Sequence, residues 1–244
     1  MKCKISVVTV CYNSENTIKR TFESLLKQSV LNFEHIIIDG QSSDGTLDIV
    51  ERYAQTAPYK VKVISEPDNG IYDAMNKGIL QSNGDYIGIL NSDDRYNKRT
   101  IESISNVLME QSPNIIYGYI RVMKGDDEII VRRGNLNYVE DLNGLIQHPT
   151  CFISKNTYEN FGLYDTSYKI CADQDFMHRV ISKGATTYAL NEILTEFSIG
   201  GASYNTDAES ERLRYKFEHG LISKKTMLIK LTLFKIKKVI KVFL

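Results

Sequence analysis

Four short apolar runs, Ile5 to Cys11, Phe33 to Asp39, Val61 to Ile64 and Tyr86 to Leu90, punctuate the first part of the chain. Each has the length and composition of a buried strand, and polar residues follow close behind. Between them lie stretches with apolar residues at helical spacing. The first carries Ile18, Phe22, Leu25 and Leu26 behind a capping Ser14, the second runs from Thr46 to about Gln55, and the third from Ile71 to Gln81. The connections are long enough for right-handed crossovers, so the expected fold class is α/β, an open and mostly parallel central sheet flanked by helices. Ligands of such sheets collect beyond the carboxyl ends of the strands, where the strand order reverses. That rule gathers Tyr12, Asp39, Asp68 and Asp93 at one rim.

The fourth run ends most abruptly, passing from Tyr86-Ile87-Gly88-Ile89-Leu90 into Asn91-Ser92-Asp93-Asp94. Adjacent carboxylates repel each other and lose solvation on burial, so they call for a cation or for hydrogen-bonding partners. Magnesium or manganese, which takes carboxylate, water and phosphate oxygens, would satisfy them and points to a diphosphate-bearing substrate. A polar turn in which Asp93 or Asp94 caps a helix starting at Tyr96 or Asn97 fits the two residues equally well. No G-x-G-x-x-G follows the first strand and no P-loop is present, so phosphate must be held in some other way.

Beyond Asp94 the pattern gives a helix to about Met109, a strand from Asn114 to Ile120 and a hairpin through Gly125-Asp126-Asp127 to Val131. Regularity weakens from Arg132 to Gln147, which reads as a variable, acceptor-side segment. His148 to Ile153 returns to strand, Phe161 to Asp165 is a loop, and Cys171-Ala172-Asp173-Gln174-Asp175 opens a helix with acids in its first turn. Tyr188 to Ser198 reads as strand. Gly200-Gly201-Ala202-Ser203 follows as a loop able to fold over a ligand.

The 244 residues hold 30 Lys plus Arg and 30 Asp plus Glu. This neutral balance argues against a general nucleic-acid binder. Its distribution is uneven: residues 221–244 carry seven lysines and no acid, which leaves 23 basic against 30 acidic residues, a formal charge of −7, in residues 1–220. The chain therefore divides into an acidic body, 1–220, and a basic amphipathic C-terminal helix, 221–244. On a helical wheel Leu228, Ile229, Leu233, Ile236, Val239, Ile240 and Phe243 share one face, with Lys230, Lys237, Lys238 and Lys241 on the other. Such a helix suits an anionic membrane surface. Packing on the body of the protein or against a second copy is the alternative. Cys3, Cys11, Cys151 and Cys171 form no C-x-x-C pair and read as buried thiols of a reducing compartment. The first apolar run is too short for a signal peptide, and no segment reaches the length of a membrane span. A cytoplasmic protein, peripheral on the inner face of the membrane, is expected.

Taken in order, these motifs resemble the family 2 glycosyltransferases, which have the GT-A fold. The resemblance rests on Thr9-Val10-Cys11-Tyr12-Asn13, Asp39-Gly40-Gln41-Ser42-Ser43-Asp44-Gly45-Thr46, Asp68-Asn69-Gly70-Ile71-Tyr72-Asp73-Ala74-Met75-Asn76-Lys77-Gly78, Leu90-Asn91-Ser92-Asp93-Asp94 and Ala172-Asp173-Gln174-Asp175. It covers Ile5 to about Ser203. It implies a nucleoside diphosphate sugar as donor, a UDP-sugar by preference. Thr9, Tyr12 and Asp39 would hold the nucleoside, and Asp68, Asn91, Ser92 and Asp93 complete the donor site. Asn91-Ser92-Asp93 stands in the place of the family's Asp-x-Asp motif, and Asp93 or Asp94 would bind Mn2+ or Mg2+. At Gly40 the family more often has a second acid. Asp173 matches the family's catalytic base, whereas Asp175 would point elsewhere on a helix. Without the resemblance, Asp173 and Asp175 read as a cap and a dipole partner of their helix.

The function implied is metal-dependent, inverting transfer of a sugar from a nucleoside diphosphate to a glycan or polyprenyl-linked acceptor in surface polysaccharide assembly. A sugar-nucleotide nucleotidyltransferase is the enzymatic rival. It would require a phosphate loop rich in Gly, Arg and Lys after the first strand, where Tyr12-Asn13-Ser14-Glu15-Asn16 supplies none. An inactive membrane-binding module is the non-enzymatic rival. Secondary candidates are His148 in the acceptor pocket, Arg179, Lys77 and Arg95 as phosphate contacts, and Tyr72 as a stacking or core residue.

Overall fold

The expected alternation is present: β1 (Ile5–Cys11), α1 (Ile18–Leu26), β2 (Phe33–Asp39), α2 (Thr46–Thr56), β3 (Val61–Ser65), α3 (Ile71–Gln81) and β4 (Tyr86–Ile89). After it come β5 (Arg95–Tyr96), α4 (Thr100–Glu110), β6 (Ile115–Lys124), β7 (Asp127–Arg132), β8 (Phe152–Ser154), α5 (Lys155–Phe161), α6 (Ala172–Ile181), β9 (Thr187–Ser198), α7 (Thr206–Glu218) and α8 (Lys224–Val242). This computed structural model describes the backbone of residues 4–134, 146–200 and 206–242, and the side chains of those residues except 206–209 and 235–242. Residues 135–145, within the expected acceptor-side segment, lie outside it, as do Gly201 to Ser203 and the tail residues Ile236, Val239, Ile240 and Phe243 as side chains.

The strands form one sheet in the order β3-β2-β1-β4-β8-β6-β9-β5, with β7 paired to β6. The run from β3 to β4 is parallel. β8 then enters antiparallel to β4 and to β6, while β6 and β9 run parallel. The order reverses at β1, which lies between β2 and β4, so the carboxyl ends of β1 and β4 border the crevice where a ligand is expected. Burial follows the alternation of side chains along each strand. Val8, Val10, Ile36 and Ile38 pack with Tyr72, Met75 and Phe176 from α3 and α6, whereas Val7 joins the cluster containing Leu25, Ile101 and Ile104 from α1 and α4. Gly78 lets α3 lie against β1. A Cβ there would stand 2.2 Å from Val8 Cγ1, overpacking that costs about 1–3 kcal/mol. This close approach seats α3 against the parallel part of the sheet.

Four local expectations are corrected. Ser14 does not cap α1 with its side chain: its carbonyl accepts from Thr17 and Ile18 N–H (3.0 Å each), its hydroxyl pairs with Ser92 Oγ (2.9 Å), and the helix starts at Ile18. No helix begins at Tyr96, because Arg95 and Tyr96 pair with Glu196 and Thr195 as a short edge strand. His148 to Thr150 is a 3-10 turn containing Pro149, and only Phe152–Ser154 joins the sheet. Two helices absent from the sequence reading, α5 and α7, are present. The first had a readable cap, since Ser154 accepts from Thr157 N.

Candidate active site

A cleft of about 1160 Å³ opens at the carboxyl ends of β1 and β4. On one side stands Tyr12, 63% exposed. It is presented by Asn13, whose φ of 47° is costly for a residue with a Cβ. A reciprocal latch holds that conformation: Asn13 N–H donates to Ser42 Oγ (2.8 Å), and Ser43 N–H donates to Asn13 Oδ1 (2.9 Å). An aromatic ring turned to solvent beside a cleft is a stacking platform. Asp68 stands next to it, with Oδ1 accepting from Gly70 N–H (2.9 Å). A Cβ on Gly40 would lie 2.3 Å from Asp68 Oδ2 and 3.4 Å from the Tyr12 ring. The glycine therefore gives Asp68 its place beside Tyr12.

Asn91, Ser92 and Asp93 line the cleft at the end of β4, and Asp94 does not. Asp94 is fully buried, with Oδ1 accepting from Ser198 N–H (3.0 Å) and Oδ2 accepting from Asn91 Nδ2 (3.3 Å). Burial and the neighbouring Asp93 charge push its carboxyl well above the usual range. Asp94 thus ties β9 to the turn and orients the Asn91 amide. That orientation leaves Asn91 Oδ1 buried without a hydrogen-bond partner. Asp93 is partly buried, which raises its pKa as well. An orphaned amide oxygen beside a carboxylate that burial disfavours as an anion is a donor set suited to a hard divalent cation. No cluster of three or more His, Cys, Asp and Glu side chains occurs among the described residues, so a cation here would draw its remaining ligands from substrate and water.

Asp173 reaches the same cleft from the first turn of α6. Its Oδ1 lies 2.9 Å from the Tyr72 hydroxyl and Ile170 O lies 2.8 Å from the same hydroxyl, so the single phenolic proton is shared between the two acceptors. Tyr72 is buried and serves as the support of Asp173, not as a stacking surface. Asp175 points away to Arg179 (3.4 Å) and His219 (3.6 Å).

The structure thus brings Tyr12, Asp68, Asn91, Ser92, Asp93 and Asp173 to one cleft. It does not bring the side chains of Thr9 or Asp39 there. Thr9 is fully buried, with its hydroxyl 2.9 Å from His35 Nε2. Asp39 is fully buried and accepts from Ser42 N–H (3.0 Å) and the Ser65 hydroxyl (2.7 Å), shaping the turn that latches Asn13. Arg179 donates to Phe161 O and Leu163 O, Lys77 pairs with Glu66 (3.1 Å) and Arg95 with Glu196 (3.1 Å), and none of the three lines the cleft. His148 lines the cleft, but its Nε2 lies 2.7 Å from the Tyr164 hydroxyl. Burial lowers its pKa against the raising influence of Asp173. The sequence reading missed Lys169, Arg212, Lys216 and Phe234, which also line the cleft. Arg212 and Lys216 are four apart, a spacing that marks one face of α7.

A model of glycosyl transferase family 2 matches residues 6–179. Among curated relatives, a PGL/p-HBAD biosynthesis glycosyltransferase of Mycobacterium bovis is 26% identical, over 86% of this chain and 82% of its own length. The putative teichuronic acid biosynthesis glycosyltransferase TuaG of Bacillus subtilis is 29% identical, over 83% and 82%. Among solved structures, S. aureus TarS 1-349 in complex with UDP-GlcNAc superposes with a TM-score of 0.70 at 21% identity, covering 87% of this chain and 65% of that one. The mannosyltransferase PcManGT of Pyrobaculum calidifontis, in complex with GDP-Man and Mn2+, gives 0.65 at 16% identity, covering 88% and 62%. The chain spans a little under two thirds of those two structures. With a crevice at the strand reversal and a family model that covers it, the chain belongs to glycosyl transferase family 2 and has the GT-A fold.

Proposed function

We propose that this protein transfers a sugar, with inversion, from a nucleoside diphosphate sugar to an acceptor hydroxyl, using Mn2+ or Mg2+ held by Asp93 and Asn91. The observation that carries the reading is the pairing of an orphaned Asn91 Oδ1 beside Asp93 with an ordered Asp173 in the same cleft. Tyr12 stacks on the base and Asp68 binds the nucleoside side of the donor, with Ser92 and Asn91 next to the diphosphate. Asp39 shapes this wall from beneath, and Thr9 supports it through His35. A UDP-sugar is the favoured donor, as a neighbour in fold binds UDP-GlcNAc.

Asp173 accepts the proton of the acceptor hydroxyl as its oxygen bonds to the anomeric carbon and the bond from that carbon to the phosphate oxygen breaks. The hydrogen bond from Tyr72 fixes one carboxylate oxygen and leaves the other for the acceptor. A divalent ion, which Asp93 and Asn91 would hold, would supply positive charge against the departing diphosphate. The hydrogen bond from Asn91 Nδ2 to Asp94 Oδ2 sets the orientation of the Asn91 amide.

The acceptor is a glycan or polyprenyl-linked saccharide of surface polysaccharide assembly, a reading supported by the relative TuaG, which is named for teichuronic acid biosynthesis. The segment 221–244 places the enzyme on anionic lipid. Leu228, Ile229 and Leu233 are each about half exposed beside Lys224, Lys225 and Lys230, whereas Phe234 turns into the cleft. No helix among the described residues is long and apolar enough to cross a membrane.

The test is a set of UDP- and GDP-sugars incubated with manganese, with the released nucleotide identified. Nucleoside diphosphate is expected, and Asp173→Asn should lower its release by about 10²–10⁴ while UDP still binds. Pyrophosphate as product, or an undiminished rate in Asp173→Asn, overturns the reading.

A further inference from the structure

Helix α7 lies outside the family-matched residues 6–179, yet it is fastened to the segment that carries Asp173. Glu211, Tyr215 and His219 recur at four-residue spacing and so share one side of the helix and its end. Tyr215 is fully buried, donates to Gln174 O (3.4 Å) and meets the Tyr168 ring edge-on. His219 lies 3.6 Å from the Asp175 carboxylate. Glu211 makes the tightest attachment. Its Oε2 accepts from Lys169 N–H (2.9 Å), and its Oε1 accepts from Ile170 N–H (2.6 Å) and Cys171 N–H (2.8 Å).

Three successive backbone N–H groups form a concave array that favours an anion, and hydrogen bonds to an ionised acceptor are the stronger kind. Cys171, at the head of α6, makes no capping hydrogen bond with its side chain. Asp173 follows two residues after the last of the three amides. Tyr72, from α3, ties down the Ile170 carbonyl and Asp173 Oδ1. The approach to α6 is therefore gripped twice, by its carbonyl from the family-matched body and by its amides from α7.

We propose that Glu211 is a positioning residue of the transfer reaction: by holding the amides of Lys169, Ile170 and Cys171 it sets where the Asp173 carboxylate stands. The inference rests on Asp173 being the base. It makes α7 part of the active site, although its Glu211 lies 32 residues beyond the last residue that the family model covers.

The test is a cycle of Glu211→Gln and Glu211→Ala, each with and without Asp173→Asn. Nucleoside diphosphate release is followed with the best donor among UDP-glucose, UDP-N-acetylglucosamine and GDP-mannose, alongside UDP affinity in manganese. Displacing a catalytic group by an ångström costs up to about 100-fold. On that scale Glu211→Gln, which can keep both Oε1 bonds but sets an amide N–H against Lys169 N–H, should lower kcat about 5-fold. Glu211→Ala, which loses all three bonds, should lower it about 50-fold. UDP affinity should move by less than about 3-fold, because Tyr12, Asp68 and Asp93 are untouched. In the Asp173→Asn background the Glu211→Gln effect should vanish. Amide exchange at 169–171 should quicken in Glu211→Gln, a readout that stands apart from turnover. An equal loss in both backgrounds, unchanged kcat in Glu211→Ala, or unchanged exchange at 169–171 overturns the proposal. A wild-type rate in Asp173→Asn alone would instead fell the assignment of the base, and the role of Glu211 with it.

Discussion

His35 offers a quantitative check on the wall that supports the donor site. It is fully buried in β2, with Nδ1 2.8 Å from the Tyr53 hydroxyl and Nε2 2.9 Å from the Thr9 hydroxyl. Burial lowers its pKa from 6.5 to about 3. A histidine with a depressed folded pKa binds fewer protons when folded than when unfolded. Its contribution to stability is therefore present above the unfolded pKa and is lost as pH falls from about 6.5 toward about 3. The full depression corresponds to about 5 kcal/mol, of which about 2 kcal/mol disappears between about pH 7 and about pH 5. Urea unfolding of the wild type and of His35→Gln at those two pH values isolates this part. The difference between the two proteins should shrink by about 2 kcal/mol at the lower pH, since glutamine does not titrate. Equal pH dependence in both would refute the reasoning and show that His35 is charged or solvated. The Thr9 hydroxyl faces His35 and not the cleft, so Thr9→Val should lower stability by about 1 kcal/mol and leave UDP affinity within about 2-fold.

The neighbouring aspartates should separate cleanly. Asp94→Asn, which sets an amide N–H against Ser198 N–H or Asn91 Nδ2 and so loosens the Asn91 amide, should weaken manganese-dependent UDP binding about 10-fold, whereas Asp93→Ala should weaken it at least about 100-fold in a calorimetric titration. Burial raises the Asp93 pKa and a metal ligand must be ionised, so manganese affinity should climb as pH rises from about 4 toward neutrality. Gly40→Ala places a Cβ against Asp68 Oδ2. It should raise the donor KM about 10-fold with little change in kcat, which steady-state kinetics would read directly.

Much of the fold was legible because it rests on short-range chemistry. The buried runs Ile5–Cys11 and Phe33–Asp39 and the helix Ile71–Gln81 have the bounds that their periodicity gives. The exceptions are places where a distant partner decides the local structure. The Ser14 hydroxyl is drawn to Ser92, 78 positions away, and Arg95 and Tyr96 become strand only because β9 returns beside them. The motifs likewise marked which acids belong near the cleft, but sequence alone could not say which way each side chain turns. Thr9 and Asp39 sit on the right strands and face inward to His35 and to Ser42 and Ser65. Asp94 turns inward to Ser198, where its neighbour Asp93 turns outward. The four-residue stripe of Glu211, Tyr215 and His219 was not read from the sequence, which assigned no element there. What that stripe docks against depends on contacts spanning some forty residues.

The most direct test of the account is a crystal structure of the protein soaked with UDP and manganese, with the ion located by its anomalous signal. The account predicts manganese touching Asp93 and the diphosphate, with Asn91 Oδ1 turned toward them and Asp94 still bonded to Ser198 N–H. A diphosphate bound elsewhere, with Asp93 contacting neither ion nor nucleotide, would contradict it.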